Sequence, residues 1–354
     1  MSEPTVEHAG LRHHGDVEAT PGLIDFAVNV TRSHPPRWLH DRLAAALWEI
    51  ARYPASGHEA RAREAVAERH DRTPDEVLVL NGAAEGFALL PSLRPRLAAV
   101  VHPSFTEPEA ALRTAGVPVH RVVLDEADGY RLRPELVPAD ADLVVVGNPT
   151  NPTSVLHPAE TLRGLARRGR VLVVDEAFAD AVPGEPESVA AARDVPGLLV
   201  LRSLTKVWGL AGLRAGYALA SAELLARLGA GRPQWPVGTL ALEAVCACSE
   251  PGALAEAEER ARLGVTHRAE LIRELNGLPG VHVHQPASAP FLLVRIPGAD
   301  RVRLGLRDAG IAVRRADTFP GLGPDYLRIT VRAPEQTGPL LGALRTELSS
   351  VEVA

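Results

Sequence analysis

Five short runs, at 77–80, 97–101, 143–146, 171–174 and 198–201, are continuously apolar and rich in β-branched residues. Uninterrupted apolar runs of this length suit strands buried on both faces, as in a mainly parallel sheet. Between them lie segments of amphipathic helical period, notably 107–115 and 159–168. This βαβ rhythm predicts an α/β unit over residues 41–235. The texture then changes. Residues 237–276 are largely helical, with a charged amphipathic stretch that stops at Asn276-Gly277. Shorter apolar strands follow in VHVHQ, PFLLVRI, IAVRRA and DYLRITV, with helical segments near 300–308 and 335–348. They predict a smaller α+β domain over 236–354. Residues 1–40 hold four prolines and little periodicity, so they are expected to form an arm, not a core, that joins the smaller domain.

Composition is ordinary for a globular chain of 354 residues, with 46% hydrophobic and 23% charged residues. A net charge of −6 leaves no basic field to hold nucleic acid. No apolar stretch reaches 18 residues and MSEPTVEHAGLRHHGD lacks a signal core, so a soluble cytoplasmic protein with no membrane partner is expected. The two cysteines, Cys246 and Cys248, lie two apart in a helical run, which suits small buried side chains and not a disulfide or a metal site. Of the 38 cationic residues, one is lysine, Lys206; the others are arginine. Arginine replaces lysine on most surfaces but not where a primary amine must lose a proton and form an imine. The surviving lysine is therefore a lead.

Its surroundings strengthen it. Lys206 stands in Ser203-Leu204-Thr205-Lys206-Val207-Trp208-Gly209, with Arg214 shortly after. The run 171–174 ends in Asp175-Glu176-Ala177-Phe178, which puts a carboxylate at a strand's carboxyl end, where open α/β sheets bind ligands. Asn148-Pro149-Thr150-Asn151-Pro152-Thr153 follows another strand end, about 24 residues earlier. Asn81-Gly82-Ala83-Ala84-Glu85 opens a helix after the strand at 77–80, an arrangement that offers backbone N–H groups to a phosphate.

Together with Tyr53-Pro54, this ordered set resembles the fold-type I pyridoxal-phosphate enzymes of the class I/II aminotransferase superfamily. The resemblance spans roughly residues 25 to 345. It implies an aspartate-aminotransferase-like fold, with a large cofactor domain and a small C-terminal α+β domain. It also implies roles. Lys206 would link covalently to the cofactor aldehyde and Asp175 would pair with the pyridine nitrogen. Asn151 would hydrogen-bond the ring's phenolic oxygen and Phe105 would stack on its face. Gly82, Ala83, Ala84, Ser203 and Arg214 would hold the cofactor phosphate. Tyr53 would reach the phosphate bound by a second copy, which implies a homodimer with shared sites. On the substrate side stand Asn29, Arg328 for a carboxylate, and Arg332 for a substrate phosphate. Arg328 and Arg332 are expected on one strand face by the period of two.

Within the superfamily the chain is most similar to histidinol-phosphate aminotransferases and to the threonine-phosphate decarboxylases of cobalamin biosynthesis. His14-Gly15-Asp16, the stretch from Ile24 to Asn29, and Phe178 in place of the commoner tyrosine favour the decarboxylase. Decarboxylation of L-threonine O-3-phosphate is therefore the first expectation, and amino transfer of the histidinol-phosphate or aromatic type the alternative. A non-catalytic regulator is remote, because no DNA-binding stretch precedes residue 25. Ser154 and Ala55 also depart from the family pattern, and His13, His14 and His34 are given no role.

Overall fold

The computed structural model describes residues 10–349. Its strands are β1 (Ile24–Phe26), β2 (Val77–Leu80), β3 (Ala98–His102), β4 (Val119–Val123), β5 (Leu143–Gly147), β6 (Val171–Asp175), β7 (Leu198–Ser203), β8 (Gly216–Leu219), β9 (His282–Val283), β10 (Phe291–Arg295), β11 (Ile311–Arg315) and β12 (Tyr326–Thr330). Seven of them form one sheet in the order β2-β8-β7-β6-β5-β3-β4. Five adjacent strands, from β7 to β4, run parallel, and β8 is antiparallel to both of its neighbours. The five apolar runs read from the sequence all lie in this sheet.

Alternation along these strands builds two apolar layers at once. Val144, Val146, Leu172, Val174 and Val200 face one layer, which includes the helices Ser56–Arg69 and Thr239–Ser249. Leu143, Val145, Val173, Leu199 and Leu201 face the other, with the helices Ala83–Leu89 and Ala222–Gly229. With both faces covered, a continuous apolar run is the only pattern that satisfies the strand. Helix 159–168 proves shorter than its pattern, ending at Arg163 before Gly164. The strands β4 and β8, with fewer apolar residues in a row, were not read from the sequence.

The second sheet has the order β1-β11-β12-β10-β9. Leu292, Val294, Ile311, Val313, Leu327 and Ile329 pack on one side against Leu271, Leu275, Val302, Leu306, Leu340 and Leu344 of the helices Pro251–Asn276, Ala299–Asp308 and Pro334–Ser349. The alternate residues Arg314 and Arg328, directly opposite each other on β11 and β12, point away from that core.

The N-terminal segment, expected as an arm that joins the smaller domain, supplies that domain with a strand and a buried side chain. Its strand β1 pairs in parallel with β11, Ile24 opposite Ile311, and Phe26 is fully buried in the second core. Asp25 fixes the exit from the strand by accepting hydrogen bonds from the N–H groups of Ala27 (2.7 Å) and Val28 (2.9 Å). A three-residue strand is too short to show a period, so only the tertiary pairing reveals it. Replacing a buried phenylalanine by alanine removes its transfer free energy and leaves a cavity. Phe26→Ala is expected to destabilise the protein by about 3–5 kcal/mol, read as a lowered urea midpoint; a change under about 1 kcal/mol would return this segment to the status of a loose arm.

Candidate active site

A cavity of about 530 Å³ opens at the carboxyl ends of β6 and β7, between the two sheets. Asn29, Ala83, Ala84, Phe105, Asn151, Asp175, Ser203, Lys206, Arg214 and Arg328 all line it. The strands deliver the chemistry: Asp175 is the last residue of β6, Ser203 the last of β7, and Lys206 follows three residues on.

Asp175 is the acid at the floor. Its carboxylate accepts one hydrogen bond from the protein, from the Ala177 N–H at 3.1 Å. Burial pushes its pKa up to about 6, against the pull of that hydrogen bond and of Lys206. A buried carboxylate held so lightly is suited to a cationic N–H donor from a ligand. The adjacent Glu176 is the opposite case. It takes hydrogen bonds from Ser188 (2.7 Å), the Val189 N–H (2.7 Å) and Arg202 (2.9 Å). Arg202 in turn bonds Glu185 at 2.6 Å and Asp180, which Arg69 also holds. One of the two neighbouring acids is thus fully spent on structure, and the other is left for the cleft.

Lys206 Nζ lies 5.9 Å from the centre of the Phe178 ring. Its pKa is lowered to about 8, by burial first and then by the charges of Arg328 and Arg214; Asp175 and Asp16 oppose the shift. The amine is therefore partly neutral near pH 8, as a nucleophile or proton carrier must be.

The cradle beside it depends on a missing side chain. Gly82 has φ +81°, and a Cβ there would lie 2.9 Å from Arg214 Nη2. Only glycine accepts both the left-handed backbone and the approach of the guanidinium. Arg214 is itself left-handed (φ 61°), and its Nη1 donates to the Ala211 carbonyl at 2.8 Å. Ser203 Oγ and Thr205 Oγ1 lie 2.8 Å apart on the facing wall. Guanidinium, hydroxyls and the first N–H groups of the helix Ala83–Leu89 surround a space with the donor set of a phosphate site. The residues present therefore fit pyridoxal phosphate at both ends: a donor cradle for its phosphate and an under-used carboxylate for its ring nitrogen.

Arg328 closes the opposite side. Its Nη1 donates to Asn151 Oδ1 at 2.7 Å, its Nη2 donates to the Ala27 carbonyl, and its buried Nε has no partner. Burial, followed by the neighbouring Arg314, lowers its pKa to about 9. An incompletely bonded buried cation is a receptor for an anion. Gly15 makes the approach possible, since a Cβ there would strike the Ala27 carbonyl oxygen and sit 3.3 Å from Arg328 Nη2. Asn29 is buried nearby and accepts from Thr330 Oγ1 at 2.9 Å.

One expected site residue lies elsewhere. Arg332 does not enter the cleft: its Nε and Nη2 donate to the Asp25 carbonyl at 3.1 and 2.9 Å, and its remaining donors reach the Val28 and Val30 carbonyls. The strand β12 ends at Thr330, so the period-two extrapolation from Arg328 does not reach it. Arg332 is consumed in clasping the N-terminal segment, and a role toward a substrate phosphate is withdrawn. Tyr53 is 74% exposed and stacks on Trp235 with ring centres 4.2 Å apart, outside this chain's own cleft.

Other residues that line the cleft carried no assigned role. His14 lines it, bonded to Glu107 at 2.5 Å and 5.2 Å from the Phe105 ring. His13 and His34 stay outside the cleft. Arg314, lying 5.0 Å over Phe319, also lines it; an arginine alternating with the apolar Ile311 and Val313 was the available signal. Cys246 and Cys248 are free and buried, and burial pushes the Cys246 thiol up to about 11. Among the described residues no group of His, Cys, Asp and Glu could hold a metal.

Comparison with known proteins accounts for this arrangement. Residues 21–344 match the family described as aminotransferase class I and II. A histidinol-phosphate aminotransferase of Mycobacterium bovis is 56% identical over 324 residues, covering 92% of this chain and 88% of that protein. The threonine-phosphate decarboxylase of Salmonella typhimurium is 32% identical over 348 residues, covering 94% and 93%. In fold, the chain superposes on the crystal structure of histidinol-phosphate aminotransferase from Sinorhizobium meliloti in complex with pyridoxal-5'-phosphate, with a TM-score of 0.85, 20% identity and 99% of each chain covered. With a lone lysine, a buried acid and a phosphate cradle converging in one cleft, the chain belongs to the class I and II aminotransferases, a family of pyridoxal-phosphate-dependent enzymes.

Proposed function

We propose that the protein is an aminotransferase of the histidinol-phosphate type, moving an amino group between a phosphorylated amino alcohol bearing an imidazole ring and a 2-oxo acid. The observation that carries this is the 56% identity to the Mycobacterium bovis relative of that name. The similarity to the decarboxylase, at 32%, is much weaker. The alternative raised by the sequence is thus better supported than its first expectation. We further propose that it acts as a cytoplasmic homodimer. Tyr53 and Trp235, stacked and exposed, offer an apolar surface suited to a second copy. No helix among the described residues is long and apolar enough to cross a membrane.

Bound in this cleft, the cofactor supplies an aldehyde that condenses with amines and a ring that takes up electrons. The chain's own groups do the rest. Lys206, partly neutral near pH 8, receives the proton from the substrate's amine-bearing carbon and delivers it again. Asp175, ionised above about pH 6, holds the ring nitrogen protonated. Asn151, whose Oδ1 accepts from Arg328, would hold the phenolic oxygen of the cofactor ring, and Phe178 could offer that oxygen no hydrogen bond. Arg328 takes the substrate anion, a carboxylate from the oxo acid or a phosphate from the amine, at its unpartnered Nε. Phe87, Phe105 and Phe319 exclude water around it.

The deciding experiment feeds histidinol phosphate with 2-oxoglutarate, and separately L-threonine O-3-phosphate, to the holoenzyme. Glutamate formation that requires histidinol phosphate is expected; release of CO₂ from phosphothreonine without glutamate would overturn the assignment. Lys206→Arg should fold but fail to attach the cofactor, since a guanidinium stays protonated. In the wild-type apoprotein the rate of attachment should rise with pH up to about 8 and level off above it, as the amine loses its proton. A flat pH profile would detach that step from Lys206. Asp175→Asn removes the charge with little change of shape, so turnover should fall by about 100-fold or more while the cofactor stays bound. Near-normal turnover in that variant would assign the ring nitrogen to another partner.

A further inference from the structure

We propose that the cavity on the other side of the Lys206 segment is a second ligand site, which holds a small oxyanion between Arg260 and Arg268. This inference is independent of the substrate assigned above. The helix Pro251–Asn276 carries Arg260, Gly264, His267 and Arg268 at a spacing that sets all four on one face. That face forms one wall of a cavity of about 190 Å³. The opposite walls come from Val207, next to the catalytic lysine, and from Ala333 and Gln336 beyond β12.

Two observations point to a ligand. The first is uncompensated charge. Arg268 is buried, yet its guanidinium makes a single weak hydrogen bond, Nη1 to the Ala289 carbonyl at 3.4 Å. Among the described residues no carboxylate lies within ion-pair distance of Arg268 or Arg260. The acids nearby are already taken. Glu256, which acts on Arg260 through space, is bonded by Arg32 and by Trp38 Nε1 at 2.8 Å. Asp180 is held between Arg69 and Arg202. Burial holds both Arg260 and Arg268 below the ordinary arginine range. Arg268 is buried and Arg260 half-buried, neither has an acid partner, and an oxyanion accepting from both guanidiniums offsets the cost of desolvating them.

The second observation is a hole in the helix. Gly264 sits at the middle of 26 helical residues, where glycine is among the least favourable choices. No packing demands it, since a Cβ at this position would meet no atom within 4 Å. What the glycine does is keep the cavity floor open between the two arginines. Arg332, on the rim, is committed to the carbonyls of residues 25–30 and contributes a wall, not a free donor.

The site adjoins the catalytic segment. Thr31, which lines this cavity, donates from its N–H to the Lys206 carbonyl at 3.2 Å. An occupant therefore lies against the peptide that carries the reactive amine, on its far side from the cofactor cleft.

Calorimetric titration of the holoenzyme with inorganic phosphate, and in parallel with succinate, tests the proposal. The wild type should bind at least one of the two, and whichever binds more tightly identifies the occupant as a phosphate or a carboxylate compound. Arg260→Gln/Arg268→Gln should weaken this binding at least tenfold and leave kcat/KM without added anion within twofold. Anion binding in the cofactor cleft is separated by Arg328→Lys, which should spare the site. Gly264→Leu fills the cavity with both arginines retained. It should abolish binding without lowering Tm, and it guards against misfolding of the double variant. No binding of either anion by the wild type, or isotherms unchanged by Gly264→Leu, would overturn the inference.

Discussion

A carboxylate buried at the end of the central strand with almost nothing to hold it is the constraint around which this protein is arranged. Ionised Asp175 in an apolar floor is unfavourable unless a cation approaches, and its pKa of about 6 expresses that cost. The fold keeps other cations away from it. Arg202, one strand over, is turned to the far side and saturated by Glu176, Asp180 and Glu185. Lys206 helps only partly, because its own proton is loosened by the same burial. The cleft therefore has an unmet demand for a positively charged donor at its base. Its rim has the complementary demand for anions, at Arg214 and Arg328. A zwitterionic cofactor bearing a pyridinium and a phosphate answers both.

Holding such a pattern requires a stiff frame, and the two-layer packing of the large sheet supplies it. Each strand that ends in a functional residue is buried on both faces, so a shift of one residue would send its apolar side chains into the wrong layer. The second sheet has another task. It has one apolar face, and the other presents Arg314 and Arg328 side by side to the cleft. Two like charges on neighbouring strands are tolerated because Arg314 is tied to the His13 carbonyl and Thr318 at 2.6 Å each, which leaves Arg328 as the one with an unsatisfied atom.

Much of this was legible from residues alone. Continuous apolar runs identify doubly covered strands, and open α/β sheets put ligands at the strand ends, so Asp175, Asn151 and the Lys206 segment could be found in order. A single lysine among arginines sharpened the choice. What escaped has a common cause, contacts between residues distant in sequence. His14 meets Glu107 across 93 residues and lines the cleft as a result, although a histidine on a polar arm carries no local signal. Phe26 lies on a strand too short to have a period. Arg332 was misplaced because alternation was carried past the point where β12 ends, and it turned out to clasp backbone. The Arg260, Gly264 and Arg268 face looks like any charged helix until the opposing wall is known.

The pairing of β1 with β11 has a consequence for how the chain is made. Ile24 and Ile311 are neighbours in one sheet but about 290 residues apart in sequence. The whole large sheet is spliced between them, so the smaller sheet is assembled from β1, made before the large sheet, and from strands made after it. At about 5–20 residues per second, β1 waits on the order of fifteen seconds or more for its partner, while the large unit has all its strands in hand. Synthesis thus imposes an order: the face that carries Asp175 and Lys206 can form first, and the sheet that brings Arg328 over it completes the cleft only when the C-terminal strands arrive. A nascent chain has the cofactor half of the site before it has the substrate half.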